Sequence, residues 1–216
     1  MAEDRTLRIS EIFFSLQGET SRVGLPTVFV RLTGCPLRCV WCDSTYAFTG
    51  GQTKSLSQVL AEVAQYQPTY VCVTGGEPLA QKACLPLLTA LCDAGYSVSL
   101  ETSGALDIGP VDQRVSRIVD LKTPGSGEAA RNRWANFDLL TDHDELKVVI
   151  ADRADYDWAV QKISDNAAFE RCPVLFAPVQ GELAPAMLAQ WILDDRLPVR
   201  LQLQQHKIIW GNVPGR

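Results

Sequence analysis

Eight short runs rich in Val, Ile, Leu, Phe and Tyr recur along the chain, at residues 9–15, 27–32, 70–74, 97–101, 117–121, 146–150, 174–177 and 199–204. β-Branched and aromatic side chains favour strands, and runs this continuously apolar suit a parallel sheet covered on both faces. Helical stretches lie between them. Ser55 and Gln58 form a capping box ahead of an apolar face of Leu56, Val59, Leu60 and Val63. A second helix is expected over 80–94, kinked at Pro86 and ended by Gly95, with two more over 153–163 and 185–193. Strand–helix alternation with short links gives an α/β fold with right-handed crossovers. A full eight-fold barrel takes about 250 residues. The 216 residues present are fewer, so the expectation is one domain over 1–216 built as a partial (incomplete) TIM-like barrel of mostly parallel strands. The longest irregular stretch, 123–144, is rich in Gly, Asn, Asp and Arg and is expected to cover a substrate.

Charge narrows the partners. Lys plus Arg is 20 against 25 for Asp plus Glu, a net charge of −5, and no basic cluster appears beyond Arg131-Asn132-Arg133. Direct nucleic-acid binding is therefore not expected, and a small molecule fits better. No apolar run approaches a membrane span, and the charged start Met1-Ala2-Glu3-Asp4-Arg5 lacks a secretory h-region, so the expected location is the cytoplasm.

Seven cysteines in a reducing compartment should be thiols. Cys72, Cys84, Cys92 and Cys172 are scattered among apolar neighbours and read as small buried hydrophobes. Cys35, Cys39 and Cys42 instead form a C-x3-C-x2-C loop directly after an apolar strand, where active sites of parallel sheets gather. Three thiolates in one loop fit an iron–sulfur cluster with one iron left open to a chelating small molecule. A structural zinc completed by one distant ligand, or three bare thiols, are the alternatives.

These residues carry a resemblance. The C-x3-C-x2-C loop, followed by Thr74-Gly75-Gly76-Glu77-Pro78 at a strand end, resembles the radical S-adenosylmethionine (SAM) enzymes. Glu11 to Thr20 (Glu-Ile-Phe-Phe-Ser-Leu-Gln-Gly-Glu-Thr), Phe29 to Cys35, Cys42 to Tyr46, Leu100-Glu101-Thr102-Ser103-Gly104, Asp120-Leu121-Lys122, Glu145 to Val149, Gln205-His206-Lys207 and Trp210-Gly211-Asn212 narrow it. Over nearly the whole chain they are similar to the 7-carboxy-7-deazaguanine synthases of queuosine and 7-deazapurine biosynthesis. The resemblance implies ring contraction of 6-carboxy-5,6,7,8-tetrahydropterin to 7-carboxy-7-deazaguanine with loss of ammonia. It also implies a [4Fe–4S] cluster, SAM cleaved to a radical that takes hydrogen from C6 and then regenerated, Mg2+, an electron donor such as a flavodoxin or ferredoxin, and a homodimer.

The same resemblance assigns roles. Cys35, Cys39 and Cys42 would ligate the cluster. Trp41, Cys42, Asp43, Gly76, Glu77, Asp120, Leu121 and Lys122 would hold SAM, with Ala177, Pro178, Val179 and Gln180 at a late strand end. Asp120-Leu121-Lys122 departs from the family's frequent Ser-Pro-Lys, so Lys122 carries that correspondence. Leu16, Gln17, Gly18, Thr74 and Glu101 would meet the pterin. Arg31 offers a forked cation to its carboxylate, an internal salt bridge being the alternative. His206 would face the substrate from the last strand, or else be a core histidine satisfied by hydrogen bonds. Ser44 would give magnesium a hard oxygen ligand. Rival readings are a radical SAM activase that makes a glycyl radical on a partner protein, and a zinc-stabilised binding module. The C-terminal stretch to Arg216 is a candidate for closing the pocket.

Overall fold

The computed structural model describes residues 5–211, 213 and 215. Nine strands form one sheet: β1 (Thr6–Leu16), β2 (Pro26–Leu32), β3 (Gln52–Ser55), β4 (Tyr70–Gly75), β5 (Ser97–Thr102), β6 (Ser116–Leu121), β7 (Glu145–Ile150), β8 (Val174–Pro178) and β9 (Arg200–Leu201). Their order is β3-β1-β2-β4-β5-β6-β7-β8-β9. β1 runs antiparallel to β2 and β3, and every pairing from β2–β4 to β8–β9 is parallel. The architecture is α/β with a mostly parallel, unclosed sheet, the incomplete barrel that the alternation implies.

Four helices cover the outer face: α1 (Leu56–Gln65), α2 (Cys84–Asp93), α3 (Arg153–Asp165) and α4 (Pro185–Asp194). The capping box of α1 is formed as expected: Gln58 N–H donates to the Ser55 hydroxyl at 3.2 Å and Ser55 N–H to Gln58 Oε1 at 2.8 Å. α2 begins at Cys84 rather than residue 80, with Pro78–Ala80 a separate 3-10 turn. Pro86 thus sits in the first turn, where its missing N–H costs nothing, and it does not kink the helix. Two elements escaped the sequence reading. β3 is short, polar and largely exposed, and α5 (Gln205–Trp210) follows a β9 of only two residues.

The strands divide their side chains by face. Val28, Val30, Leu32, Val71, Val73, Val98 and Leu100 point outward and pack with Val59, Val63, Leu87, Leu88 and Leu91 of α1 and α2. Val119, Leu121, Leu146, Val148, Ile150, Val174 and Phe176 pack with Tyr156, Ala159, Ile163, Leu188 and Ile192 of α3 and α4. The intervening residues line the concave side. Residues 123–144 form three 3-10 turns. They line no part of the concave cavity, so the expected covering role is not what this stretch does. Phe137 and Leu140 instead enter the core, where apolar burial outweighs exposure. Cys72, Cys84 and Cys172 are buried and Cys92 is half-buried, all four as free thiols.

Candidate active site

At the C-terminal ends of the parallel strands lies a cavity of about 640 Å³. Period-two alternation builds its wall, with Arg31 from β2, Thr74 from β4, Glu101 from β5, Asp120 from β6, Lys147 from β7 and Ala177 from β8. Pairing register sets Arg31 beside both Glu11 and Thr74, and Asp120 beside Lys147.

The cysteine loop closes one side, and Cys35, Cys39 and Cys42 all line the cavity. Cys42 N–H donates to Cys39 O at 3.2 Å, Val40 N–H to Ser126 O at 3.0 Å, and Leu37 N–H approaches Cys35 Sγ at 3.4 Å. Leu37 is buried beneath the loop. Burial pushes the Cys35 and Cys39 thiols up, with the Lys122 ammonium countering it. No group of three metal-binding side chains stands preassembled at bonding range among the described residues. The donor set nonetheless fits a cluster with an open iron: three free thiols of one loop share one wall, and the other four cysteines lie elsewhere. At Gly76 a Cβ would strike the Gly34 carbonyl and Cys35 Cβ, so only glycine lets the β4 end pack on this loop. Ser44 lines the cavity beside the loop; its hydroxyl makes no capping bond and lies 3.9 Å from Cys42 Sγ.

A belt of charge crosses the cavity. Lys122 bonds Asp120 at 2.7 Å, Lys147 reaches Asp120 at 3.4 Å and Glu19 at 2.8 Å, and Gln204 bonds Glu19 at 2.8 Å and Asp43 at 3.3 Å. Lys207 closes it on Asp43 at 2.7 Å. Burial opposes the charges of Lys122, Asp120, Lys147, Glu19 and Asp43, yet pairing wins at each. Lys147 is held well above the usual lysine value by Asp120, Glu19 and Glu101, while Lys147 holds the Glu19 carboxyl below its usual range. Asp120 is held down by Lys122 and Lys147 against the same burial.

On the opposite side, Arg31 Nε donates to Glu11 at 2.7 Å, and Tyr46 also donates to Glu11 at 2.8 Å. The guanidinium lies 5.9 Å from the Phe13 ring centre and 5.8 Å from that of Tyr46. Its two terminal nitrogens carry no protein bond among the described residues, so one edge of the fork is anchored and the other faces the cavity's contents. Thr74 and Gln17 donate to the two Glu101 oxygens at 2.8 and 3.2 Å, leaving lone pairs free.

Leu16, Gln17, Gly18, Arg31, Trp41, Asp43, Ser44, Thr74, Gly76, Glu101, Asp120, Lys122, Ala177, Pro178, Val179, Gln180 and His206 line this one cavity together with the three loop cysteines. Glu77 and Leu121 do not. Glu77 is fully buried, its carboxylate accepting from Leu79 N–H at 2.9 Å, Thr102 at 2.9 Å, and both Ser103 N–H at 2.7 Å and the Ser103 hydroxyl. Leu121 points into the core. The sequence carries His206 on the last strand, but the chain turns after Leu201, and His206 sits on α5. There it packs so closely on Gly18 that a Cβ would overlap its ring, and burial lowers its pKa. Of the C-terminal stretch, Gly211, Val213 and Gly215 line the cavity, while Asn212 and Arg216 lie outside the described residues. Glu19, Lys147, Gln204 and Lys207 were given no role from sequence. A lysine set inside the apolar run Leu146-Lys147-Val148-Val149 is the signal that could have found the belt, because a charge on a covered strand needs partners.

A family model described as the radical SAM superfamily matches residues 29–167. The 7-carboxy-7-deazaguanine synthase of Chlorobaculum tepidum is 46% identical over 98% of this chain and 97% of its own, and that of Koribacter versatilis 45% identical over 94% and 97%. The crystal structure of QueE from Escherichia coli shares the fold with a TM-score of 0.71 at 21% identity, covering 93% of this chain and 95% of that one. Sequence kinship along the full length and a cysteine loop facing a polar barrel interior agree: the chain belongs to the 7-carboxy-7-deazaguanine synthase family of radical SAM enzymes.

Proposed function

We propose that this enzyme contracts the ring of 6-carboxy-5,6,7,8-tetrahydropterin to 7-carboxy-7-deazaguanine, releasing ammonia, with Mg2+ assisting and SAM regenerated in each cycle. The observation that carries the reading is one cavity holding both the three free thiols of the cysteine loop and the half-anchored guanidinium of Arg31. Family membership brings SAM and a [4Fe–4S] cluster; once bound, they would supply hydrogen abstraction from carbon.

The chain's own work is placement. Cys35, Cys39 and Cys42 would hold the cluster. Gly76, Trp41, Asp43, Asp120, Lys122 and the 177–180 segment would seat SAM, with the glycine backbone admitting it closely. Glu77 acts from behind, fixing the strand-end turn through its bonds to Ser103 and Leu79. Leu121 serves the fold rather than the ligand. Arg31 would take the substrate carboxylate with its free edge, and Glu101 would accept from the pterin's amino and ring N–H groups. Leu16, Gln17, Gly18, Thr74 and neutral His206 would complete the substrate wall. Ser44 would add an oxygen to a magnesium ion whose remaining ligands come from substrate and water. The belt forms part of the wall that would limit access of bulk water to reactive species. We further propose a single domain, a cytoplasmic location, reduction by a flavodoxin or ferredoxin, and a homodimer.

Anaerobically reconstituted enzyme given SAM, reductant, Mg2+ and the carboxytetrahydropterin should form 7-carboxy-7-deazaguanine and ammonia in equal amounts. Absence of that product from protein carrying iron and sulfide would overturn the proposal.

A further inference from the structure

The loop between β1 and β2, residues 17–25, folds beneath the cavity and supplies two of its side chains, Gln17 and Glu19. Its stem is closed by backbone bonds, Gly24 N–H to Gln17 O at 2.7 Å and Gln17 N–H to Leu25 O at 2.9 Å. Between Glu19 and the loop tip lies Thr20, buried, with φ at +69°. A β-branched residue is out of place in the left-handed region, and such a conformation persists only where its surroundings over-determine it.

Two contacts at the N-terminal ends of the strands supply that determination. Ser21 N–H donates to both oxygens of Glu145 at the start of β7, at 2.9 and 3.2 Å. The Arg22 guanidinium reaches the start of β5, donating to Ser97 O at 3.1 Å, Ser97 Oγ at 3.0 Å and Val98 O at 3.5 Å. Its Cζ lies 5.4 Å from the centre of the Tyr70 ring of β4. None of the Arg22 bonds goes to a carboxylate, and Arg22 does not line the cavity. An arginine spanning two strand ends by carbonyl bonds and a ring contact fixes position rather than charge.

We propose that Arg22 is a positioning residue for the substrate: by clamping the strained loop to β4 and β5, it presets Gln17 and Glu19 toward Glu101 and Lys147. Thr20 directly follows Glu19, so a shift that relaxes it is felt first at the Glu19–Lys147 bond, while the Gln17–Glu101 bond depends on the loop's stem; these two bonds shape this side of the cavity. The clamp lies at the opposite end of the strands from the cysteine loop, and Glu19 reaches the SAM-side carboxylates Asp120 and Asp43 only through Lys147 and Gln204, so loss of the clamp acts more on pterin than on SAM. This assignment rests on the pterin reading above.

The test uses the full-length reconstituted enzyme. Arg22→Ala should raise the pterin KM about tenfold, with a clearly smaller rise in the SAM KM and kcat nearly unchanged. Millimolar guanidinium should restore the pterin KM, whereas the same concentration of sodium chloride should not; a lesion that leaves no guanidinium-shaped gap between β4 and β5 would not respond. Arg22→Lys keeps the cation but not the fork, and should give a smaller rise in a protein that folds. Hydrogen exchange should show faster exchange at the amides of residues 17–25 in both variants. Equal effects on both ligands, an unchanged pterin KM, or unchanged exchange in the loop would overturn the assignment. Wild-type enzyme that makes no deazaguanine would instead overturn the substrate reading, and the exchange result would still decide the clamp.

Discussion

Arg31 shows how a fold can orient one side chain while leaving part of it free. Its Nε is anchored on Glu11, so the fork is oriented before any anion arrives. Arg31→Ala should weaken binding of the carboxylated pterin about ten- to hundredfold, as expected for one charge-assisted pair, and leave SAM binding nearly unchanged. Titration calorimetry with each ligand checks it, and equal losses would remove the role. His206 carries a pH signature. Burial lowers its pKa below the ordinary 6.5, so the unfolded chain takes up the proton first. Its contribution is therefore intact above the ordinary value and is lost as pH falls below it. Urea midpoints should fall less steeply between about pH 7.5 and pH 5 for His206→Gln than for the parent, and parallel curves would contradict this. Cysteine spacing and the glycine motif made most of the cavity legible, since their types declare their chemistry. Lys147 was legible only as a charge on a covered strand, and its partner Glu19 and that residue's neighbour Gln204 were not, because their meaning lies in contacts between segments more than a hundred residues apart.

Among elements, the ones that read plainly are those whose local signal and tertiary packing agree. Ser55 and Gln58 mark the start of α1 in sequence, and both reciprocal bonds form. Ser55→Ala should cost about 1 kcal/mol and lower the melting temperature by about 2–4 °C, measurable by calorimetry. No change would mean that packing of Val59 and Val63 alone sets the helix. β3 and α5 read poorly for the opposite reason. Thr53 and Lys54 offer no buried pattern and pair only because β1 extends past β2 to meet them. α5 spans six residues, too few to display a helical period, and is held by Gln205 N–H on Gly18 O at 2.9 Å. The stretch 123–144 misled because a Gly- and Asp-rich composition describes turns, not where they pack. Its inner turn is in fact fixed by buried Asn136, whose amide donates to Gly104 O at 3.0 Å and Leu106 O at 2.8 Å.

At the scale of the molecule, the two cores lie between the sheet's outer face and the helices, while the cysteine loop contributes only Leu37 to burial. Folding should therefore not depend on the cluster. Protein stripped of iron by a chelator, and Cys39→Ala prepared in the same way, should keep their circular dichroism and melt within about 5 °C of the reconstituted enzyme, while SAM cleavage is abolished. A collapse of cooperative melting on iron removal would show that the loop is a structural keystone. No helix among the described residues is long and apolar enough to cross a membrane.

Strand alternation has one consequence for how such a catalyst can change. Arg31, Thr74, Glu101 and Lys147 look inward, while Val30, Val73, Leu100 and Val148, one step away on the same strands, hold the helices. The two sets share a backbone but almost no neighbours, so they are separately mutable. A lineage could rewrite its cavity-lining residues and inherit an unaltered scaffold, which makes this kind of half-open barrel a ready starting point for evolutionary retailoring.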